Sequence, residues 1–235
     1  MKIKPAAILL MGPPAAGKGT QAFKLASELG FVHFDTGGEI YRRVTDPYFE
    51  NDPIVSKQKK VYFDGFLNDP QWVADLVSER VRTYKEMGKG LVFSGSPRTL
   101  YEAETVMPIL FDAFGKGRVL VVEFGVSLDT ARKRSLERIS CTNRACRYPT
   151  YKKNAGRPCP VCGTPLPSET PKDEEWKVSQ LATRFKEYEE RTGPAIQYIE
   201  TLGILHKIDG EVPESRVFAQ IKKLVKDYLT GSPKA

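Results

Sequence analysis

The sequence predicts an α/β fold, a three-layer sandwich in which helices cover both faces of a parallel central sheet. Three features predict it. Short apolar runs alternate with stretches of helical periodicity along the 235 residues. A glycine-rich loop joins the first apolar run to the first helical stretch, the connection that strand-to-helix units use at phosphate sites. One segment, 141–172, breaks the alternation: it holds all four cysteines and six of the 17 prolines, lacks helical periodicity, and reads as a small insertion.

The first strand is Ala7–Met11, an unbroken apolar run that suits a strand buried on both faces. The two lysines before it imitate a secretory leader. The apolar run is short, however, and leads into glycines rather than a cleavage site, so it reads as a strand. Residues 20–29 form the first helix, with Phe23, Ala26 and Leu29 on one face. Further strands are predicted at 31–34, 90–93, 118–124 and 203–208. Helices are predicted at 70–87, where Val73, Leu76, Val77, Arg80 and Tyr84 share a face, and at 98–113, 127–139, 173–201 and 213–229. Joining strands through helices favours parallel pairing. Residues 230–235 read as a frayed tail.

Composition narrows the function. Apolar residues make up 40%, enough for a core, and no run reaches the roughly 18 residues of a membrane span. The net charge of +7 and pI near 9.1 suit a nucleic-acid partner or an enzyme that gathers phosphates. Cysteines confined to one stretch indicate a local site rather than a disulfide framework, and imply a reducing, cytoplasmic setting.

Gly12-Pro13-Pro14-Ala15-Ala16-Gly17-Lys18-Gly19-Thr20 fits G-x-x-x-x-G-K followed by Gly-Thr. Its place between strand and helix favours a P-loop over a ligand-free turn. Backbone N–H groups there cradle phosphate oxygens, Lys18 reaches the outer phosphates, and the Thr20 hydroxyl is placed for Mg²⁺. The motif names a phosphate site, not a reaction. Arg42, Arg98, Arg134, Arg138 and Arg184 lie near element ends, with Arg134 and Arg138 one helical turn apart. Each alone reads as a surface charge; beside a P-loop they suit several phosphates of two nucleotides. Cys141-x4-Cys146 and Cys159-x2-Cys162-Gly163, 12 residues apart, suit a tetrahedral thiolate site for Zn²⁺. Four thiolates leave no open position, so that zinc would be structural. A nucleic-acid-binding ribbon and a pair of disulfides are the other readings.

The segments GPPAAGKGTQ, TGGEIYR, GFLNDPQWVADLVSERV, SGSPRT, RFKEY and Ile208-Asp209-Gly210, with the Arg134, Arg138, Cys141 spacing, cover nearly the whole chain. In this order they resemble the nucleoside monophosphate kinases, most closely adenylate kinases of the long form with a zinc-binding lid. The resemblance implies one P-loop kinase domain, 1–235. It implies an inserted monophosphate-binding region at 36–78 and an inserted zinc-ribbon-like lid at 140–175. It places ATP on Gly12, Ala15, Ala16, Gly17, Lys18, Gly19 and Thr20, with Arg134 over the base and Arg138 on its phosphates. It places the acceptor on Thr36, Gly37, Arg42, Leu67, Gly95, Arg98, Glu102 and Arg184. Lys18, Arg98, Arg138 and Arg184 would stabilise an in-line transfer from Mg-ATP, most simply to AMP, without a general base or covalent intermediate. A cytoplasmic monomer is implied, with ATP and a monophosphate as partners and neither membrane nor nucleic acid.

Three positions depart from the pattern. Ser94 stands where the family has an aspartate that holds Mg²⁺ through water; Thr20 with the phosphates, or Asp35, would have to serve. Glu102 replaces a glutamine that reads adenine. A carboxylate only accepts hydrogen bonds, which suits guanine's donors; the other reading is an i,i+4 pair with Arg98. Lys172, before Asp173 and Glu174, stands in for a lid arginine. His33, His206, Trp72 and Trp176 read as packing residues, Glu39 as support for Arg42, and Lys57–Lys60 and Lys222–Lys226 as solvated faces. Binding of nucleotide or nucleic acid without turnover is the remaining alternative.

Overall fold

The computed structural model of the chain describes residues 4–143, 146–170 and 179–230. Its strands are β1 (Ala7–Met11), β2 (Val32–Phe34), β3 (Leu91–Ser94), β4 (Val119–Gly125), β5 (Arg138–Ser140), β6 (Pro149–Tyr151) and β7 (Leu205–Asp209). Five of them form a wholly parallel sheet in the order β2-β3-β1-β4-β7, while β5 and β6 form a separate antiparallel pair. The five expected strands are all present, with ends within two residues of expectation.

β1 is fully buried because it is central: Leu9 lies opposite Phe93 on one side and Val121 on the other. Side-chain alternation splits its residues between two cores. Ala7, Leu9 and Met11 pack with α4 (Pro70–Glu86), α5 (Leu100–Phe114) and α8 (Gly193–Thr201). Ile8 and Leu10 pack on the other face with α1 (Lys18–Leu29) and α9 (Glu214–Thr230). This is the expected three-layer sandwich.

Local chemistry sets the remaining helices. α2 (Thr36–Thr45) and α3 (Pro53–Phe63) fill part of the long β2-to-β3 connection. The Asp52 carboxylate caps α3 by accepting from the Ile54 and Val55 N–H groups, and Asp69 caps α4 by accepting from Trp72 N–H; each cap precedes a proline at N1. α6 (Leu128–Glu137) leads into β5. α7 (Leu181–Glu187) continues through a π-helical segment, Tyr188–Thr192, into α8.

Several expectations change. The buried face of α1 is Ala22, Leu25 and Ala26; Phe23 is only partly buried and meets His33 and Tyr148. α5 begins after Thr99, its N-cap, so Arg98 precedes the helix and cannot form an i,i+4 helical pair with Glu102. Arg138 opens β5, so it is not on one helix with Arg134. His206 packs edge-on against Tyr228, and Trp72 lies against the core. Lys57, Lys59, Lys60, Lys222, Lys223 and Lys226 are exposed, as expected of solvated faces. Lys172, Asp173, Glu174, Trp176, the start of the predicted 173–201 helix and the tail after 230 lie outside the described residues.

Candidate functional site

The glycine-rich loop leaves the C-terminal end of β1 and enters α1 at Lys18. Gly12 has φ 140°, and a Cβ there would come within 2.9 Å of the Phe124 carbonyl on β4, so only glycine fits. Ala15 and Gly17 are also left-handed, at φ 59° and 93°. Such reversals turn successive N–H groups toward one concavity, which suits an anion. The Lys18 ammonium donates to the carbonyls of Gly12 and Pro13, each at 2.7 Å.

All of the expected nucleotide-site residues line a single cavity of about 360 Å³. The loop residues Gly12, Ala15, Ala16, Gly17, Lys18, Gly19 and Thr20 form one wall. Thr36, Gly37 and Arg42 of α2 face it, with Leu67 beside them and Gly95, Arg98 and Glu102 at the end of β3. Arg134, Arg138 and Arg184 come from α6, β5 and α7. Burial strongly depresses the Lys18 pKa, and the charges of Arg98, Arg184 and Arg138 depress it further, against a weaker opposing pull from Asp35. Four cations converging in one cleft are mutually unfavourable, and a polyanion placed among them relieves that repulsion.

Arg98 is held at three points. Its Nε donates to the Gly95 carbonyl at 2.6 Å. Its backbone N–H donates to Glu102 at 3.0 Å, and its carbonyl accepts from the Thr192 hydroxyl at 2.9 Å. Gly95, at φ 132°, leaves room for this: a Cβ there would lie 2.9 Å from an Arg98 guanidinium nitrogen. Arg42 pairs with Glu39, as expected, and Arg80 lies 3.7 Å from the same carboxylate. Arg134 donates to the Gly210 carbonyl at 2.8 Å, and Leu67 N–H donates to Glu187 at 3.2 Å. The Thr36 hydroxyl is buried in the cavity wall with no hydrogen-bond partner among the described residues, a donor and acceptor placed for a ligand.

Glu102 has a local role that its sequence position did not reveal. Its carboxylate accepts from Ser96 Oγ at 3.1 Å, Arg98 N–H at 3.0 Å and Thr99 Oγ1 at 3.1 Å, so it ties the turn to the start of α5. Burial raises its pKa; the bonds from Arg98, Ser96 and Thr99 offset only part of that effect. A carboxyl whose folded pKa is raised contributes stability below its unfolded value, about 4.5, and loses it as pH rises through the folded value. The stability of the native chain relative to Glu102→Gln is therefore expected to fall as pH rises from 4 to 7. Urea unfolding of both proteins across that range checks the sign; a difference that grows with pH would contradict it.

His33 Nε2 and Ser94 Oγ are 2.7 Å apart, and both residues line the cavity with Asp35. Burial lowers the His33 pKa and Arg42 adds to this, while Asp35 opposes, so the imidazole is neutral near pH 7. His33 is thus a residue of the site wall and not a packing residue alone. Ser94, Asp35 and Thr20 give this wall the oxygen donors that suit Mg²⁺, which binds few protein oxygens and keeps several waters.

The four cysteine sulfurs all lie within 4.8 Å of one another, with Cys141 to Cys162 at 3.5 Å and Cys146 to Cys159 at 3.7 Å. A disulfide requires about 2.05 Å. A tetrahedron of thiolates with zinc bonds near 2.3 Å has edges of about 3.8 Å, so the geometry fits zinc. Around the sulfurs the buried apolar residues are few, chiefly Ile139 and Leu166. Three other wall residues, Phe23, Arg147 and Tyr148, were not evident in the sequence. Tyr148 leads into β6 and meets Phe23 of α1 at 4.9 Å, bringing the cysteine hairpin over the glycine-rich loop.

The family model described as Adenylate kinase matches residues 10–204. An adenylate kinase of Rhizorhabdus wittichii is 33% identical over 222 residues, spanning 93% of this chain and 98% of that protein. One from Sphingopyxis alaskensis is 33% identical over 224 residues, 93% and 96% of the two chains. One from Chlamydia pneumoniae is 30% identical over 222 residues, 94% and 98%.

Proposed function

Since this chain belongs to the adenylate kinase family and is a nucleoside monophosphate phosphotransferase, we propose that it transfers the terminal phosphoryl group of Mg-ATP reversibly to AMP, giving two ADP. The observation that carries this reading is the convergence of Lys18, Arg98, Arg138 and Arg184 on one cavity between the glycine-rich loop and Arg42. In this reading the loop and Lys18 cradle the ATP phosphates, with Thr20 at the Mg²⁺ position and Arg134 against the base. Arg42 and Arg98 grip the acceptor phosphate, with Thr36, Gly37, Leu67 and Gly95 shaping its pocket. Arg138 and Arg184 neutralise the charge that develops on the transferring group. Mg²⁺ bound with the ATP would supply further neutralisation of the phosphate charge. Thr20, Asp35 and Ser94 would hold it, with His33 orienting the Ser94 hydroxyl.

Residues 36–78 are read as the insert that closes over the monophosphate, and 140–175 as the lid. Cys141, Cys146, Cys159 and Cys162 would hold a structural Zn²⁺, which would staple a segment too poor in apolar side chains to fold alone. Four free thiols suit a reducing compartment, so the reading includes a cytoplasmic enzyme, acting as a monomer. Among the described residues no helix is long and apolar enough to cross a membrane.

The choice of base turns on Glu102. A second reading, GMP as acceptor, is favoured by its carboxylate lining the cavity. AMP is preferred because three donors from its own turn already engage that carboxylate, leaving little capacity for a base. Initial rates with AMP, GMP, CMP and UMP test this. AMP is expected to exceed GMP in kcat/KM by at least tenfold, with Glu102→Gln shifting the ratio by less than about threefold, the order of one weak hydrogen bond. A GMP preference that reverts to AMP in Glu102→Gln would establish the second reading.

A further inference from the structure

Among the described residues, Ala15 and Arg147 are the non-glycine residues with positive φ. Ala15 belongs to the glycine-rich loop. Arg147, at φ 47°, follows Cys146, the second cysteine of its turn. The chain supplies its own comparison: after Cys162, the second cysteine of the other turn, the left-handed position is held by Gly163 at φ 75°. Glycine takes this conformation freely and arginine does not. Holding the metal does not call for arginine here, and a strained residue that persists points to a function for its side chain.

The side chain leads to α2. The Arg147 guanidinium carbon lies 4.3 Å from the centroid of the Tyr41 ring. Tyr41 is 6% exposed and precedes Arg42, the proposed grip on the acceptor phosphate. The Tyr41 ring also packs against Tyr62 and Phe63 of α3, at 6.2 Å and 6.4 Å. Tyr62 in turn donates to the Gly37 carbonyl at 3.4 Å. The next residue of the hairpin, Tyr148, meets Phe23 of α1 at 4.9 Å. Adjacent residues of the cysteine hairpin thus contact the helix of the ATP loop and the helix of the acceptor site, at the rim of the same cavity.

We propose that Arg147 is a positioning residue: its guanidinium, stacked on Tyr41, fixes the Arg42-bearing helix against the cysteine hairpin and so aligns the acceptor monophosphate with the ATP. The proposal rests on the kinase reading and adds a guanidinium whose target is a ring rather than a phosphate. The distance is well inside the roughly 6 Å range in which a guanidinium and an aromatic face attract.

The test compares Arg147→Gly, Tyr41→Leu, Tyr41→Phe and the Arg147→Gly/Tyr41→Leu double variant. Glycine relaxes the turn, so Arg147→Gly is expected to keep its zinc and its thermal stability. Arg147→Gly and Tyr41→Leu are each expected to raise the KM for AMP at saturating ATP by about two- to thirtyfold, while the Kd for ATP alone stays unchanged. Tyr41→Phe, which keeps the ring face, restores most of the loss. The double variant is no worse than the worse single variant. Losses that multiply in the double variant, or a loss from Arg147→Gly that Tyr41→Leu does not share, would overturn the proposal. The native protein, Arg147→Gly, Tyr41→Leu and the double variant in urea unfolding give a second cycle independent of turnover. Coupling there with no phosphorylation of any monophosphate supports the contact and sinks the kinase reading; turnover without coupling sinks the contact alone.

Discussion

Lys18→Ala is expected to lower kcat/KM by roughly a hundred- to a thousandfold, the usual loss when a preorganised donor to transition-state charge is removed, while leaving the protein at least as stable. The two effects have opposite signs for one reason. Burial and the neighbouring Arg98, Arg184 and Arg138 push the Lys18 pKa well below its ordinary 10.5. A lysine whose folded pKa is depressed costs stability whenever pH is low enough for it to be charged, so truncation removes a cost. The same charge is useful once phosphates sit among the four cations. Phosphate binding favours the charged ammonium, so ATP affinity in the native protein is expected to fall as pH rises through the depressed Lys18 pKa, in a window that begins below 10.5. Calorimetric ATP titrations at rising pH, beside thermal melts of Lys18→Ala, check both signs. A variant that melts far below the native protein would show that Lys18 is structural.

With zinc in the cysteine site as proposed, its removal is expected to cost roughly a hundredfold in activity, comparable to losing one charged contact in the transition state, and to leave the central sheet folded. The small cluster around Ile139, Cys141, Cys159 and Leu166 is too poor in apolar area to hold the hairpin without a staple. Arg138 begins β5 and lies opposite Tyr151 in that hairpin, so loosening it moves a guanidinium out of the cavity. The sheet has its own two cores, which do not include the hairpin. Chelation should therefore abolish most turnover with little change in far-UV circular dichroism, and added zinc should restore it. Full activity in protein shown by elemental analysis to be metal-free would refute a structural role for zinc.

Much of the fold was legible because a buried parallel strand reads as an unbroken apolar run, as in Ala7–Met11 and Val119–Gly125. The glycine-rich loop was legible because it needs special backbone geometry at fixed spacing, seen at Gly12 and Gly17. The face of α1 was misjudged because Phe23, though apolar, serves the cavity wall and meets Tyr148 across it. α2 and α3 were missed as helices, for they are short, and Ile54 of α3 remains well exposed. The chain's Arg138 looked helical beside Arg134, yet only the pairing of β5 with β6 decides its place. Glu102 illustrates the same limit. Its Thr99 partner three residues earlier is a capping pattern, but that pattern also fits a residue facing a cavity, and the structure shows Glu102 both in the cap and in the cavity lining.

The central claim is tested most directly by incubating the purified protein with Mg-ATP and AMP and counting products. Two ADP formed for each AMP consumed, with no free phosphate and with no product when AMP is left out, is the predicted result. Release of inorganic phosphate from ATP with AMP untouched would contradict it.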